Sequence, residues 1–252
     1  MTNRDKEEKR MDQLKDPNDQ HSKDISALIR KTLKNVGNVY LATDWHLFVR
    51  DEKGKPKCHK CKNFDAILKD ATATLTDKDL FIYLGDLVDG EMTNETDKEE
   101  LKQVLKLIPG KKVLVLGNND LFTPAFYKSC GFDYVVQSFV WSNILFTHIP
   151  CENDNQINVH GHLHCDKWWP PVYRIPYTNQ IDIARLGARQ HLVPLAQVLV
   201  SQMNYSKYAK EDPSYFEEGY NIYESVDKSL FADIMVESII VDPYRDEDLY
   251  DI

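Results

Sequence analysis

Short apolar runs alternate with helical patterns through the first half of the chain. Buried strands are predicted at residues 38–43, 80–84 and 113–116, where each run is continuous and apolar. Between these strands, residues 63–75 and 96–108 carry apolar side chains at helical spacing. This alternation favours right-handed crossovers and a largely parallel sheet, so the three strands should all end at the same edge.

Shorter elements are predicted in the second half of the chain. A brief helix should start at Thr123 and Pro124, since threonine is a good cap and proline fits the first helical position. Further strands are predicted at residues 135–140, 143–147, 157–160 and 180–184. The first two should form a hairpin through Trp141 and Ser142, and a last helix should start near Pro194.

The two ends of the chain differ from its centre. Residues 1–24 are charged and lack periodicity, which predicts a disordered or peripheral arm before a domain over residues 25–208. Residues 209–252 form an acidic extension. Within it, residues 211–252 contain 13 acidic and two basic side chains, which give a net charge of −11. Because the whole chain carries −9, residues 1–210 carry +2. We expect the extension to regulate or recruit, with a structural strand or a lid as the alternative.

Composition limits the class of protein. The 252 residues are 42% hydrophobic and 28% charged, which is ordinary for a globular protein and long enough for one substantial domain. No apolar run has membrane-spanning length, and the charged N-terminus does not resemble a secretory signal. Five irregularly spaced cysteines fit a reducing compartment, so we expect the cytoplasm. The pair Cys58 and Cys61 indicates a plain loop, with a metal or redox role as the alternative.

Residues with metal-binding chemistry lie where the predicted strands end. His160, His162 and His164 occupy alternate positions of an extended segment and can share one face. Neutral imidazole is the commonest transition-metal ligand in proteins. Carboxylates and amides follow the earlier strands, at the edge where open α/β sheets place ligand sites. A donor set of nitrogen and oxygen atoms without thiolates suits Mn, Fe, Zn, Co or Ni.

In chain order, the polar residues form five motifs: Asp44-x-His46, Gly85-Asp86-x-x-Asp89, Gly117-Asn118-Asn119-Asp120, His148 and Gly161-His162-x-His164. This order resembles the calcineurin-like metallophosphoesterases over roughly residues 38–200, and looks most like small bacterial and phage members. The resemblance implies an α/β fold of the four-layer α-β-β-α type, a sandwich with two mixed sheets.

The resemblance also implies a dinuclear metal site, with Mn as the first choice and Fe, Zn, Co or Ni as alternatives. One ion would be held by Asp44, His46, Asp86 and His164. The other ion would be held by Asp86, Asn118, His148 and His162, so that Asp86 bridges the two. A pair of ions about 3.5–4 Å apart can bind a phosphate and activate a bridging hydroxide for in-line attack on phosphorus.

Four neighbouring residues complete the expected site. Asp89 and Asp120 should orient ligands by hydrogen bonding, and His160 either does the same or simply lines the site with a polar group. Asn119 is the predicted catalytic residue, and it departs from the family pattern, which commonly has histidine there. An amide can donate a hydrogen bond to a phosphoryl oxygen, but it cannot deliver a proton to a leaving group.

These features predict a metal-dependent phosphodiesterase that acts on a phosphate-ester small molecule or a nucleotide. The alternatives are a phosphomonoesterase or nucleotide hydrolase with the same site, and a non-catalytic scaffold on the same fold. Retention of all seven ligand positions opposes the scaffold. The chain has no basic stripe of the kind that duplex-binding proteins carry, so neither duplex nucleic acid nor a membrane is an expected partner.

Overall fold

The computed structural model describes residues 19–48, 64–88, 95–151, 156–163, 173–174, 179–183 and 192–200. Two predicted site residues, Asp89 and His164, lie outside these ranges, as do Cys58, Cys61 and the acidic extension over 209–252. Among the described residues, no helix is long and apolar enough to cross a membrane.

The described elements are four helices, ten strands and a helical turn over residues 195–200. The helices are α1 (Gln20–Lys34), α2 (Phe64–Thr74), α3 (Glu95–Leu107) and α4 (Pro124–Ser129). The strands are β1 (Val39–Ala42), β2 (Leu80–Leu84), β3 (Lys111–Val115), β4 (Tyr134–Val136), β5 (Phe139–Trp141), β6 (Ile144–Phe146), β7 (Ile157–His160), β8 (Tyr173–Arg174), β9 (Gln180–Asp182) and β10 (Val193–Pro194).

The strands form two mixed sheets of five strands each. In the first sheet, with the order β10-β1-β2-β3-β4, strands β1 to β4 are parallel and β10 is antiparallel to β1. In the second sheet, with the order β5-β6-β7-β9-β8, strands β6, β7 and β9 are parallel and the two edge strands are antiparallel to their neighbours. The predicted parallel arrangement of β1, β2 and β3 is therefore confirmed.

The core follows from the alternation of side chains along each strand. On β2, Ile82 belongs to an apolar cluster that includes Phe146 and Val159 of the second sheet, whereas Phe81 belongs to a cluster with Leu101 and Leu105 of α3. One face of the first sheet thus packs toward the second sheet and the other face packs toward helices. Both faces are buried, which explains why the strands are continuously apolar. A helical layer on the far face of the second sheet stays a prediction.

Helix α1 begins within the segment over residues 1–24 that the sequence assigns to the N-terminal arm. The Asp19 side chain accepts hydrogen bonds from the main-chain N–H groups of His21 and Ser22, at 2.7 and 3.2 Å, and so caps the first turn. Residues 20–24 therefore belong to the helix and not to the arm. In the same way, α3 begins at Glu95, one residue before the helical pattern over residues 96–108.

Helix α1 also covers the edge strand β5. The main-chain N–H of Val140 donates to the Ser22 hydroxyl at 3.1 Å, and the Ser26 hydroxyl donates to the Val140 carbonyl at 3.0 Å. Serines one helical turn apart thereby satisfy both polar groups of one edge residue. A covered edge is unable to pair with another strand.

The prediction of one strand over residues 135–140 is wrong. The run divides into β4, which pairs with β3 in the first sheet, and β5, which pairs with β6 in the second. Between them, residues 137 and 138 carry the chain from one sheet to the other. Val136 and Phe139 both enter the cluster between the sheets, so the apolar pattern continues across the break.

Candidate metal centre

The predicted ligands that the structure describes meet at the carboxyl ends of the strands. Asp44 and His46 follow β1, Asp86 follows β2 and Asn118 follows β3, while His148 and His162 follow β6 and β7 of the second sheet. Both sheets therefore contribute to one cluster. Within the described part of the chain, the cluster contains two groups that could hold an ion, each with ligand atoms within 4.8 Å of one another.

Four of these residues have left-handed backbone conformations. The φ angles are 57° at Asp44, 47° at His46, 55° at Asp86 and 73° at His162. A non-glycine residue held in this region costs on the order of 1–3 kcal/mol, and such residues concentrate at functional sites. The surrounding packing therefore overcomes a local strain in order to turn these side chains toward one point.

The first group comprises Asp44, His46 and Asp86. The His46 Nε2 atom lies 3.6 Å from Asp44 Oδ1 and 3.7 Å from Asp86 Oδ2. The other oxygen of Asp44, Oδ2, lies 2.6 Å from the Thr43 hydroxyl and accepts the His162 main-chain N–H at 3.1 Å. One carboxylate oxygen is thus fixed by hydrogen bonds, while the other lies toward the imidazole.

The second group comprises Asp86, His148 and His162. The His148 Nε2 atom lies 3.3 Å from Asp86 Oδ2, 3.3 Å from His162 Nδ1 and 3.1 Å from the Asn118 side-chain oxygen. His148 is 2% exposed, whereas Asn118 is exposed. Asp86 belongs to both groups, as a bridging ligand requires.

The donor chemistry of the second group fits a cation. The His148 Nδ1 atom lies 2.8 Å from the Leu84 carbonyl, which can only accept, so Nδ1 carries a proton. In the neutral ring, Nε2 then presents its lone pair to the oxygens of Asp86 and Asn118, which also present lone pairs. Three lone pairs that converge on one point require a proton or a metal ion between them, and imidazole with carboxylate and amide oxygen is a suitable donor set for Mn, Fe, Zn, Co or Ni.

In the absence of an ion, a proton is favoured between Asp86 and His148. Burial by itself raises the pKa of Asp86, but the hydrogen bond and charge of His148, together with the Asn119 main-chain N–H, lower that pKa overall. Burial by itself lowers the pKa of His148, but the hydrogen bond and charge of Asp86 raise that pKa overall. Each group therefore stabilises the charged form of the other.

Asn119 lies against Asp86. Its main-chain N–H donates to Asp86 Oδ1 at 2.9 Å and its side-chain amide donates to Asp86 Oδ2 at 2.7 Å. The side chain is half-buried. The predicted catalytic residue is thus placed beside the carboxylate that both metal groups share.

Asp120 organises the backbone of the Asp86 loop. Its Oδ2 atom accepts from the main-chain N–H groups of Asp86 and Gly117, both at 2.9 Å. Its Oδ1 atom accepts from the Leu87 N–H at 3.0 Å and from the Tyr127 hydroxyl at 3.3 Å. Burial and the charge of Asp86 raise the pKa of Asp120 to about 6, against the opposing effect of the Gly117 N–H. These bonds hold the main chain of the Asp86 loop, and the orienting role of Asp120 toward a bound metal stays a prediction.

Two glycines make room for the ligands. A Cβ atom on Gly117 would overlap Asp86 Oδ1 and the Asp86 nitrogen, and a Cβ atom on Gly161 would overlap the Thr43 hydroxyl and approach Asp44 Oδ2 to 2.7 Å. Backbone and carboxylate approach too closely at both positions for any other residue.

His160 lies behind the cluster and does not join either group. It is fully buried, its Nδ1 atom lies 2.8 Å from the Gly161 carbonyl, and among the described residues its Nε2 atom has no hydrogen-bond partner. Burial lowers the pKa of His160 to about 4, so the ring is neutral at pH 7.

Sequence reasoning missed several residues that hold the ligand loops. Thr43 contacts Asp44, and the hydroxyl of Tyr83 accepts the Trp45 main-chain N–H at 2.6 Å. Asn158 and Tyr127 also bond to ligand loops. For Thr43 and Asn158 there was a signal, because each is a polar residue within or directly beside an apolar strand.

Fold and site together define a metallophosphoesterase. The chain belongs to the calcineurin-like phosphoesterase family, whose sequence profile matches residues 37–222, and it is a metal-dependent hydrolase of phosphoric ester bonds. No curated protein sequence matches the chain.

Two solved structures are similar to this chain. A protein of unknown function from Aquifex aeolicus, AQ665, is 18% identical with a TM-score of 0.46, and the match covers 64% of this chain and 97% of that one. The nuclease MPE of Pseudomonas putida is 17% identical with a TM-score of 0.40, and the match covers 54% of this chain and 63% of that one.

Proposed function

We propose that this protein is a phosphodiesterase with a dinuclear metal centre. The observation that carries the proposal is that Asp86 belongs to both groups of ligand atoms. A shared carboxylate reduces the repulsion between two adjacent cations and holds both at a fixed separation.

In this proposal one ion is held by Asp44, His46, Asp86 and His164, and the other by Asp86, Asn118, His148 and His162. Manganese is the first candidate, with Fe, Zn, Co or Ni as alternatives, because the donor set contains imidazole and oxygen atoms but no thiolate. When bound, the ions would supply positive charge to a phosphoryl group and acidify coordinated water.

The chain's own residues orient this chemistry. Asn119 holds both oxygens of Asp86 through hydrogen bonds at 2.9 and 2.7 Å, and its amide lies at the half-buried rim of the cluster, where it can donate to a phosphoryl oxygen. Because an amide delivers no proton, the leaving group must depart without help from this position. Substrates with acidic leaving groups should therefore react fastest.

The test combines metal analysis with a comparison of ester classes. Protein stripped of metal should be inactive, should recover with Mn²⁺ and should then hold two ions per chain by elemental analysis. Bis(p-nitrophenyl) phosphate should be hydrolysed with a higher kcat/KM than p-nitrophenyl phosphate. One ion per chain at full activity would contradict the dinuclear site, and a preference for the monoester would contradict the assignment as a diesterase.

Asp86→Asn tests the bridge directly. Loss of the shared carboxylate should weaken binding of both ions, by more than the roughly 10–100-fold that is typical of residues that only hydrogen-bond to a ligand. Asp24→Asn is the matched control, since Asp24 lies on α1 and its carboxylate bonds to Gln20. Near-normal metal content in Asp86→Asn would exclude the bridge.

A further inference from the structure

A buried amide lies beneath the loop that carries His148. Asn158 is on β7, between Ile157 and Val159, and it is 0% exposed. A buried amide costs on the order of 1–3 kcal/mol unless its polar atoms are paired. The position of such a residue inside an apolar strand therefore has to be explained by what it binds.

Every polar group of this amide has a partner in the His148 loop or in β6, the strand that leads into it. The Oδ1 atom accepts the Cys151 main-chain N–H at 2.7 Å. The Nδ2 atom donates to the Leu145 carbonyl at 3.1 Å and to the Thr147 hydroxyl at 2.8 Å. The Cys151 N–H can only donate and the Leu145 carbonyl can only accept, so these partners fix which way the amide faces.

These bonds hold the loop at both of its ends. Thr147 precedes His148, and Cys151 follows it three residues later. Inside the loop, the Thr147 hydroxyl donates to the Ile149 carbonyl at 2.7 Å, while the His148 carbonyl accepts the Gly161 N–H at 3.1 Å. The His148 backbone is thereby fixed relative to β7, the strand that leads to His162.

We propose that Asn158 is a positioning residue that sets the placement of His148 and so controls the affinity of the ion bound through His148, Asn118 and His162. The inference rests on the proposed dinuclear function. We expect Asn158 to affect this ion and not the other one. The other ion would be held through Asp44 and His46, which follow β1 of the first sheet, and the described hydrogen bonds of the Asn158 side chain do not reach β1.

Carboxylate cannot replace the amide. In the wild type, the Asn158 Nδ2 atom donates to the Leu145 carbonyl oxygen at 3.1 Å. In Asn158→Asp, a carboxylate oxygen would take the place of this nitrogen. Two acceptors would then oppose each other in a buried place, which is unfavourable. Asparagine is thus required for its combination of two donated bonds and one accepted bond.

The experiment measures Mn²⁺ binding by calorimetry on metal-stripped protein. Asn158→Ala should keep one ion with wild-type affinity and bind the other about 10–100-fold more weakly, the range typical of residues that support a ligand. Thr147→Val, which removes only the hydroxyl, should weaken the same ion by a smaller factor. This isosteric variant keeps the test decisive if Asn158→Ala does not fold.

Asp79→Ala is the matched control for lost stability. Asp79 is also buried and also holds a loop, accepting from the main-chain N–H groups of Asn38 at 2.6 Å and Thr76 at 2.7 Å, but it lies at the opposite end of β2. Asp79→Ala should lower the melting temperature and leave both Mn²⁺ affinities within about twofold.

The outcomes separate this inference from the proposed function. If wild-type protein binds fewer than two ions, the dinuclear proposal fails. If wild-type protein binds two ions and both variants, Asn158→Ala and Thr147→Val, also bind two with unchanged affinity, the role of Asn158 is excluded while the dinuclear site stands. Equal weakening of both ions, or the same weakening in Asp79→Ala, would reduce Asn158 to a general stabilising residue.

Discussion

The ionisation of Asp120 gives a quantitative prediction about stability. Burial and the neighbouring charge of Asp86 raise the pKa of Asp120 to about 6, from an ordinary value of 3.8. The folded protein therefore binds this proton more tightly than the unfolded chain does. The contribution of Asp120 to stability is present below pH 4 and is lost as the pH rises through 6. A shift of about two pH units corresponds to about 3 kcal/mol.

Asp120→Asn isolates this contribution, because the amide does not titrate. The free energy of unfolding of wild type minus that of Asp120→Asn should fall by about 2 kcal/mol between pH 4 and pH 7, which is most of the full effect. His148 and Asn119 lower the pKa of Asp86 despite its burial, so Asp86 favours its charged form and does not share the behaviour of Asp120. The measurement is urea unfolding of metal-stripped protein, followed by tryptophan fluorescence at several pH values.

The reasoning depends on burial outweighing hydrogen bonding at Asp120. Three main-chain N–H groups lie within 3.0 Å of its oxygens and favour the carboxylate. If they outweighed burial, the pKa would be lowered and the stability difference would grow with pH. A flat or rising difference would refute the prediction.

Three other substitutions have defined outcomes. Asn119→His should speed hydrolysis of esters with poor leaving groups by no more than about 10²-fold, the low end for general acid catalysis. The reason is that the oxygens of Asp120 already accept main-chain N–H groups and cannot orient the new imidazole ring. A larger gain in kcat/KM would contradict this. Gly117→Ala should abolish Mn²⁺ binding measured by calorimetry, since the new methyl group would overlap Asp86. Gly131→Ala is the control, because Gly131 has open space around it but a φ of 109°. This control should lose only about 1 kcal/mol of stability and should still bind metal. Ser26→Ala should lower the free energy of unfolding by about 1–3 kcal/mol by leaving the Val140 carbonyl unpaired, with unchanged metal affinity; no loss in urea unfolding would show that the bond from Ser26 to Val140 does not stabilise the protein.

The sequence was sufficient for the first sheet and for the edge where the ligands meet. Strands β1, β2 and β3 are continuous apolar runs because both faces of their sheet are buried, and such runs are visible without a structure. The sequence pattern predicts β4 and β5 as one strand because apolar residues on both sides of the break enter the same core. Local pattern contains no information on which sheet a strand joins.

The candidate site was predictable as a set of residue types but not as a set of contacts. The motifs located Asp86 and His148, and the structure brings them to 3.3 Å. The left-handed conformations at Asp44 and His162, by contrast, are imposed by packing against the local preference of these residues. Partners such as Leu145 for Asn158 and Asp86 for Asp120 are distant in the chain, so only the fold reveals them. The ligand role of His164 and the role of the acidic extension stay predictions.

The contact between α1 and β5 has a consequence for synthesis of the protein. Ser22 and Ser26 bond to a residue that is 118 and 114 positions later in the chain. At a translation rate of about 5–20 residues per second, the ribosome needs roughly 6–24 s to make that strand after the helix has been made. During this interval the apolar face of α1, with Ile25 and Ile29, has none of its partners from the second sheet. We therefore expect the nascent N-terminal segment to be the part of this protein that most depends on chaperones.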